Sequence, residues 1–161
     1  MVTLVPTLIL LVGVVDDIWT KKFHNRLFVG SLLFAAIFCL VFGGLPQLGV
    51  GIISLVTAFV VMMPMVLLKV VGAGDLKLML AFGLASNWQD VISVLMYSLL
   101  WALIFGLVRA ALDKKLVFVF KNVGDMVSKK TVDTNSLHRI PYTVPLFFGW
   151  MSQLVNEGRW I

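Results

Sequence analysis

Three carboxylates in this sequence stand where carboxylates are costly. Asp16 and Asp17 close an apolar run that begins near Thr3, and Asp75 follows two closely spaced glycines in Gly72-Ala73-Gly74-Asp75, just ahead of another uncharged stretch. A charge at membrane depth costs about 2.5–3.5 kcal/mol on insertion scales, so such a residue marks a site by default. If Asp17 and Asp75 meet in a partly desolvated place, they do not readily ionise together, and one keeps its proton while the other does not. General acid and base hydrolysis of an amide requires that pairing. One carboxylate takes a proton from attacking water, while the other protonates the developing oxyanion and then helps the amine depart. Asp17 and Asp75 are therefore the candidate catalytic pair, with water as nucleophile and neither metal nor cofactor expected. Asp16 lies one residue away, about 100° around a helix, and points elsewhere.

The neighbours of these acids admit plainer readings beside the chemical one. Gly72 and Gly74 relieve crowding, permit non-helical dihedrals and leave room for a peptide beside Asp75. Equally, they make a tight turn while Asp75 caps the following helix. Lys77 either favours an ionised carboxylate, steadies an acidic substrate group or anchors its helix among lipid headgroups, and Asn25 caps or turns the start of a helix. His24 and His138 lie beside basic residues with no metal-ligand spacing, and the lone Cys39 is an apolar packing residue that excludes a disulfide framework within one chain. Asp90, Asp113, Asp125, Asp133 and Glu157 read as solvated carboxylates in loops or at helix ends. Trp19, Trp88, Trp150 and Trp160 suit interfacial anchoring, and Trp101 a lipid-facing or packed position.

The elements that must position the pair are membrane helices. The chain has 161 residues, 60% hydrophobic and 13% charged, whereas soluble chains are about a quarter charged, which excludes an ordinary soluble globule. Residues 2–15, 27–68, 78–89, 91–108 and 140–156 carry no Asp, Glu, Lys or Arg. One helical crossing takes about 20 residues, so the run 27–68 suffices for two. The first helix starts near Leu4, and because its apolar part alone spans only about 20 Å of a core of about 30 Å, it either continues through Asp16, Asp17, Ile18 and Trp19 or starts outside the core and tilts little. Further helices are expected over 27–42 and 50–68, with a turn at 43–49 between them and a kink at Pro64. Others follow from about Asp75 to Gln89, over 91–108, and over 140–155 with Pro141 and Pro145 at its start. Residues 118–130 suit a short amphipathic helix on the membrane surface.

The expected fold is all-α, a single polytopic domain over residues 1–161 with six transmembrane helices. Starting from an external N-terminus, the loops 17–26, 69–77 and 109–139 share one face and contain every Lys and Arg except Arg159. By the positive-inside rule that face is cytoplasmic, and both termini lie outside. The net charge of +5 follows these loops and does not mark a nucleic-acid surface. The N-terminal run lacks a basic start and a small-residue cleavage pattern, so it reads as a retained helix.

On these residues the sequence resembles a known family. "GAGDLKL" at 72–78, together with "DIWTKKFHNRL" at 17–27, is similar to the small prepilin peptidases, the A24 family of membrane aspartic proteases. The likeness is specifically to the short branch associated with tight-adherence or Flp-type pili. In that family an Asp ending the first helix precedes a basic stretch and an Asn, and the second catalytic Asp lies in Gly-x-Gly-Asp followed by x-Lys. The resemblance implies Asp17 and Asp75 as catalytic residues, with Gly72, Gly74, Lys77 and Asn25 in support. "RIPYTVPLFFG" at 139–149 is similar to the Ile-Pro-Tyr stretch that opens the family's last helix. The chain departs from the pattern at Phe23-His24 (often Ile-Pro), at Trp19 (commonly Arg) and at Thr143 (Gly), and it keeps both carboxylates.

The implied substrates are prepilins or pseudopilins, cut after a glycine to release a basic leader at the cytoplasmic membrane face. Membrane lipids and the pilus or secretion machinery are the implied partners, with no nucleic acid. Larger members also methylate the new N-terminus and carry paired cysteines, so this chain, with Cys39 alone, is expected to cleave without methylating. Two other classes remain open on the residues themselves. One is a small transporter subunit using the acids as a proton or cation relay, and the other is a noncatalytic assembly scaffold.

Overall fold

The computed structural model describes residues 3–20, 25–68, 70–112 and 142–158. Among them the chain forms five α-helices and no strand: α1 (Leu4–Thr20), α2 (Asn25–Leu67), α3 (Ala73–Leu84), α4 (Trp88–Leu112) and α5 (Thr143–Asn156). The expected surface helix over 118–130, and His24, His138, Pro141 and Trp160, lie outside the described residues. Of the two ways its short apolar run allows, α1 takes the first and continues through both acids to Thr20.

α2 is two helical arms, 25–43 and 45–67, broken at Gly44, whose φ of 66° and ψ of −165° suit only glycine. Pro46 stands just inside the second arm, where a missing amide donor costs little. The arms lie side by side. Cys39 Sγ donates to the Leu84 carbonyl at 3.3 Å, and a Cβ on Gly51 of the other arm would meet the same oxygen. An unbroken helix would separate Cys39 from Gly51 by about 18 Å, so the chain doubles back at Gly44. The expected turn over 43–49 is thus present and tightened to Gly44, with Pro46 two residues further on.

α3 ends at Leu84, short of the expected Gln89, because amides of Ala85 and Ser86 bond back to the Phe82 and Gly83 carbonyls at 3.1 Å and turn the chain into α4. Two further expectations are corrected by this arrangement. Asp90 is not a solvated loop carboxylate: it falls in the first turn of α4, is 3% exposed and accepts a 2.7 Å bond from Gln153 Nε2 in the last part of α5. Trp150 is not interfacial, because α5 turns it inward onto Phe82, with ring centroids 5.1 Å apart, and its Nε1 donates to Thr7 Oγ1 at 2.7 Å. Trp19 and Trp88 are exposed as anchors should be, and Trp101 is packed against Phe105 and Phe148.

The core is built around α3, where Leu78, Met79 and Phe82 are fully buried with Leu10 of α1, Met62 of α2, Val91 and Val94 of α4 and Leu146 of α5. Without a hydrophobic drive between helices in lipid, small residues that let backbones approach do much of the joining. On α3, a Cβ at Gly83 would lie 3.0 Å from the Ser54 carbonyl oxygen of α2; on α5, one at Gly149 would lie 2.8 Å from both Ser98 N and Val94 O of α4. The outward faces are apolar, with Leu33, Phe34, Val41, Ile53, Val60, Met96 and Leu103 all exposed, a larger apolar surface than soluble monomers carry. Two helices, Asn25–Leu67 and Trp88–Arg109, are long and apolar enough to cross a membrane.

Replacing Gly149 by Ala should therefore destabilise the bundle by about 1–3 kcal/mol, the usual range for overpacking against backbone that cannot yield. Gly106→Ala, with nothing within 4 Å of the new methyl, should leave stability unchanged. Thermal unfolding of the two variants in the same detergent separates them, and equal midpoints would contradict the tight α4–α5 crossing.

Candidate functional site

The two candidate acids come from opposite ends of antiparallel helices. Gly13 of α1 leaves the space that the Leu78 side chain of α3 fills. Asp17 lies one turn after Gly13, and Asp75 lies about one turn before Leu78. That contact sets the end of α1 level with the start of α3, close enough for the two carboxyl groups to interact electrostatically. Both acids are partly buried, as is Asp16.

Asp75 does cap its helix, as the plainer reading allowed: its Oδ2 accepts the Gly72 amide at 3.2 Å. Gly72 has φ −77° and ψ 151°, an extended conformation open to any residue. Its lack of a side chain therefore matters for space and not for dihedral freedom, which corrects the expectation. A Cβ at Gly72 would stand 3.1 Å from Asp75 Oδ2, closer than such contacts normally run. Gly74 lies within the first turn of α3 and has no non-helical role there.

Lys77 Nζ donates to Asn25 Oδ1 at 2.6 Å, so two residues expected to support the acids meet each other. The bond ties α3 to the first residue of α2 at the same end of the bundle. Among the described residues, no group of three or more His, Cys, Asp or Glu side chains is placed to hold a metal ion.

Two residues at the entrance of α5 join the site without having been expected as site residues. Thr143, 1% exposed, donates from Oγ1 to Asp17 Oδ2 at 2.6 Å. Tyr142, the residue before it, shares a 2.7 Å hydrogen bond with Ser98 Oγ. The sequence signals for them were the Ile-Pro-Tyr stretch, in which Thr143 replaces the glycine of the resembled pattern, and Pro141 and Pro145, which mark a helix start that the charge count assigns to the same face. Nothing in the spacing says that a hydroxyl at 143 reaches a carboxylate at 17.

Fold and site together define an all-helical membrane protein with two interacting acids held at one level. The model of the type IV leader peptidase family matches residues 4–107, and this chain belongs to that family. Neither the curated proteins nor the solved structures contain a match to it. The matched span includes Asp17, Asn25, Gly72, Gly74, Asp75 and Lys77 and ends ahead of Tyr142 and Thr143. Family and apolar helices agree on a membrane-embedded peptidase.

Gly72→Ala should fold, because alanine accepts the backbone angles at 72, yet the new methyl must displace the Asp75 carboxylate by a few tenths of an ångström. Peptidase activity should fall roughly tenfold, given that misplacement of about 1 Å costs on the order of a hundredfold. Initial rates measured beside thermal unfolding test this, and full activity at unchanged stability would show that the Asp75 position is not critical.

Proposed function

We propose that this chain is an aspartic endopeptidase that removes the basic leader from prepilins or pseudopilins at the cytoplasmic membrane face. Asp17 and Asp75 are the proposed catalytic pair. The observation that carries the reading is the placement of Asp17 and Asp75 at facing helix ends, brought level by the Gly13–Leu78 contact, in a chain of the type IV leader peptidase family. A water between the acids gives a proton to the ionised carboxylate as its oxygen bonds to the scissile carbonyl carbon, and the carbonyl oxygen takes the proton held by the other acid. The tetrahedral species then collapses, the C–N bond breaks, and a proton passes to the leaving amine. Lys77, held by Asn25, keeps a positive charge at this end of α3, suited to the lipid headgroups or to an acidic group of the substrate.

In this proposal the arms of α2 are separate crossings, giving six with α1, α3, α4 and α5 and leaving both termini outside. The positive loops then mark the cytoplasmic side. A basic leader stays on that side while the substrate's apolar helix occupies the bilayer, which puts the scissile bond at the level of the acids.

Reconstituted protein mixed with a prepilin should release the leader, seen as a new N-terminus and intact mass, and Asp17→Asn and Asp75→Asn should each abolish release with the fold retained. Equal cleavage by either mutant would defeat the residue roles. No cleavage of any prepilin-like protein of the organism would favour the transporter or scaffold instead.

Cleavage against pH should trace a bell, because activity needs one carboxylate ionised and the other protonated: it is lost at low pH as the base takes a proton and at high pH as the acid gives one up. With chemistry rate-limiting, a flat profile would count against the pair.

Single cysteines placed at Pro46, Trp88 and Arg159 in a Cys39-replaced background should label from outside, and one at Asn122 from the cytoplasm. External labelling at 122 would sink the six-crossing arrangement.

A further inference from the structure

Asp17 lies in the last turn of α1, where the unsatisfied carbonyls of a helix end disfavour a negative charge. Its own helix therefore disfavours the carboxylate's charge, and a hydrogen-bond partner for it comes from α5, late in the chain. Thr143 Oγ1 reaches Asp17 Oδ2 at 2.6 Å, within the short range typical of a hydroxyl bonded to a charged oxygen. The hydroxyl stands at the first residue of α5, whose amide end favours a nearby anion. It is also fixed in place, being 1% exposed, with α5 pinned to α1 again by the bond from Trp150 Nε1 to Thr7 Oγ1 and to α4 by the close seat of Gly149. Asp75 is held differently, by the Gly72 amide of its own helix entrance. One acid is thus oriented locally and the other by a tertiary contact.

We propose that Thr143 is the positioning residue of Asp17, fixing the carboxylate's orientation toward Asp75 for the hydrolytic step. This rests on the peptidase reading above, and it adds a residue beyond the span that the family model matches. The hydroxyl touches no reacting atom. Its work is to limit Asp17 to one rotamer, so its loss should slow the chemical step and leave substrate binding nearly intact.

Thr143→Val keeps the shape and removes the donor, while Thr143→Ser keeps the donor and removes a methyl. With a prepilin as substrate in lipid, Thr143→Val should lower kcat at least tenfold with KM changed less than twofold, and Thr143→Ser should stay within about threefold of wild type, in line with the cost of a misplaced reacting group. In parallel, the infrared carboxylate stretch assigned to Asp17 by difference from Asp17→Asn should shift in Thr143→Val and not in Thr143→Ser. Unchanged kcat in Thr143→Val, or equal losses in both variants, would overturn the positioning role. If wild type cleaves no prepilin, the proposed function fails, and the infrared band still decides the inference: a band unmoved by Thr143→Val would show that the hydroxyl does not hold Asp17.

Discussion

Two carboxyl groups that do not readily ionise together have to be kept close within an apolar bundle, and the contact between α1 and α3 carries that burden. Leu78 settles into the gap left by the missing side chain of Gly13, which brings the end of one helix level with the start of the other. A shift of one turn along this interface, about 5.4 Å, would part Asp17 from Asp75 and remove the electrostatic interaction between them. Much else in the bundle serves this register. α3 is buried on nearly all sides by α1, both arms of α2, and α4, and Phe82 is braced by Trp150.

Polar groups inside this bundle are kept few and mostly paired. Ser54 and Ser86 turn their hydroxyls back onto carbonyls of the preceding turn at 2.8 and 2.9 Å, and Asp90 takes a bond from Gln153 at the end of the bundle away from the acids. Unpaired, such groups would cost several kcal/mol each in hydrocarbon. Asp90 and Gln153 clamp α4 to α5 at one end, while Tyr142 and Ser98 join the same helices at the other. α5 is consequently held at both ends, which is what allows a threonine at its start to act as a fixed support for Asp17.

The acids are anchored by different physics. Asp75 belongs to a local motif, in which a glycine without a side chain lets a carboxylate fold back onto the helix entrance. Asp17 has no such motif and relies on α5, 126 residues further along the chain. A local anchor survives as long as its helix forms, whereas a tertiary one depends on the whole bundle closing.

Much of this was legible in the residues. The uncharged runs made the chain a helical membrane protein, the shortness of the first run pointed to α1 extending through Asp16 and Asp17, and Gly72-Ala73-Gly74-Asp75 announced a helix entrance with a carboxylate in it. These are properties of hydrophobicity and of neighbours within one turn, which a sequence records directly. It placed the turn between the arms of α2 without saying which residue breaks the helix, read Asp90 as solvated and Trp150 as interfacial, and gave no sign that Lys77 pairs with Asn25 or Thr143 with Asp17. Each of those depends on which face of a helix meets which neighbour. In a helix that is apolar nearly all round, the pattern of polar and apolar residues does not fix that choice. It is made by close packing of small residues and by a few hydrogen bonds between groups far apart in the chain, and these exist only once the helices have come together.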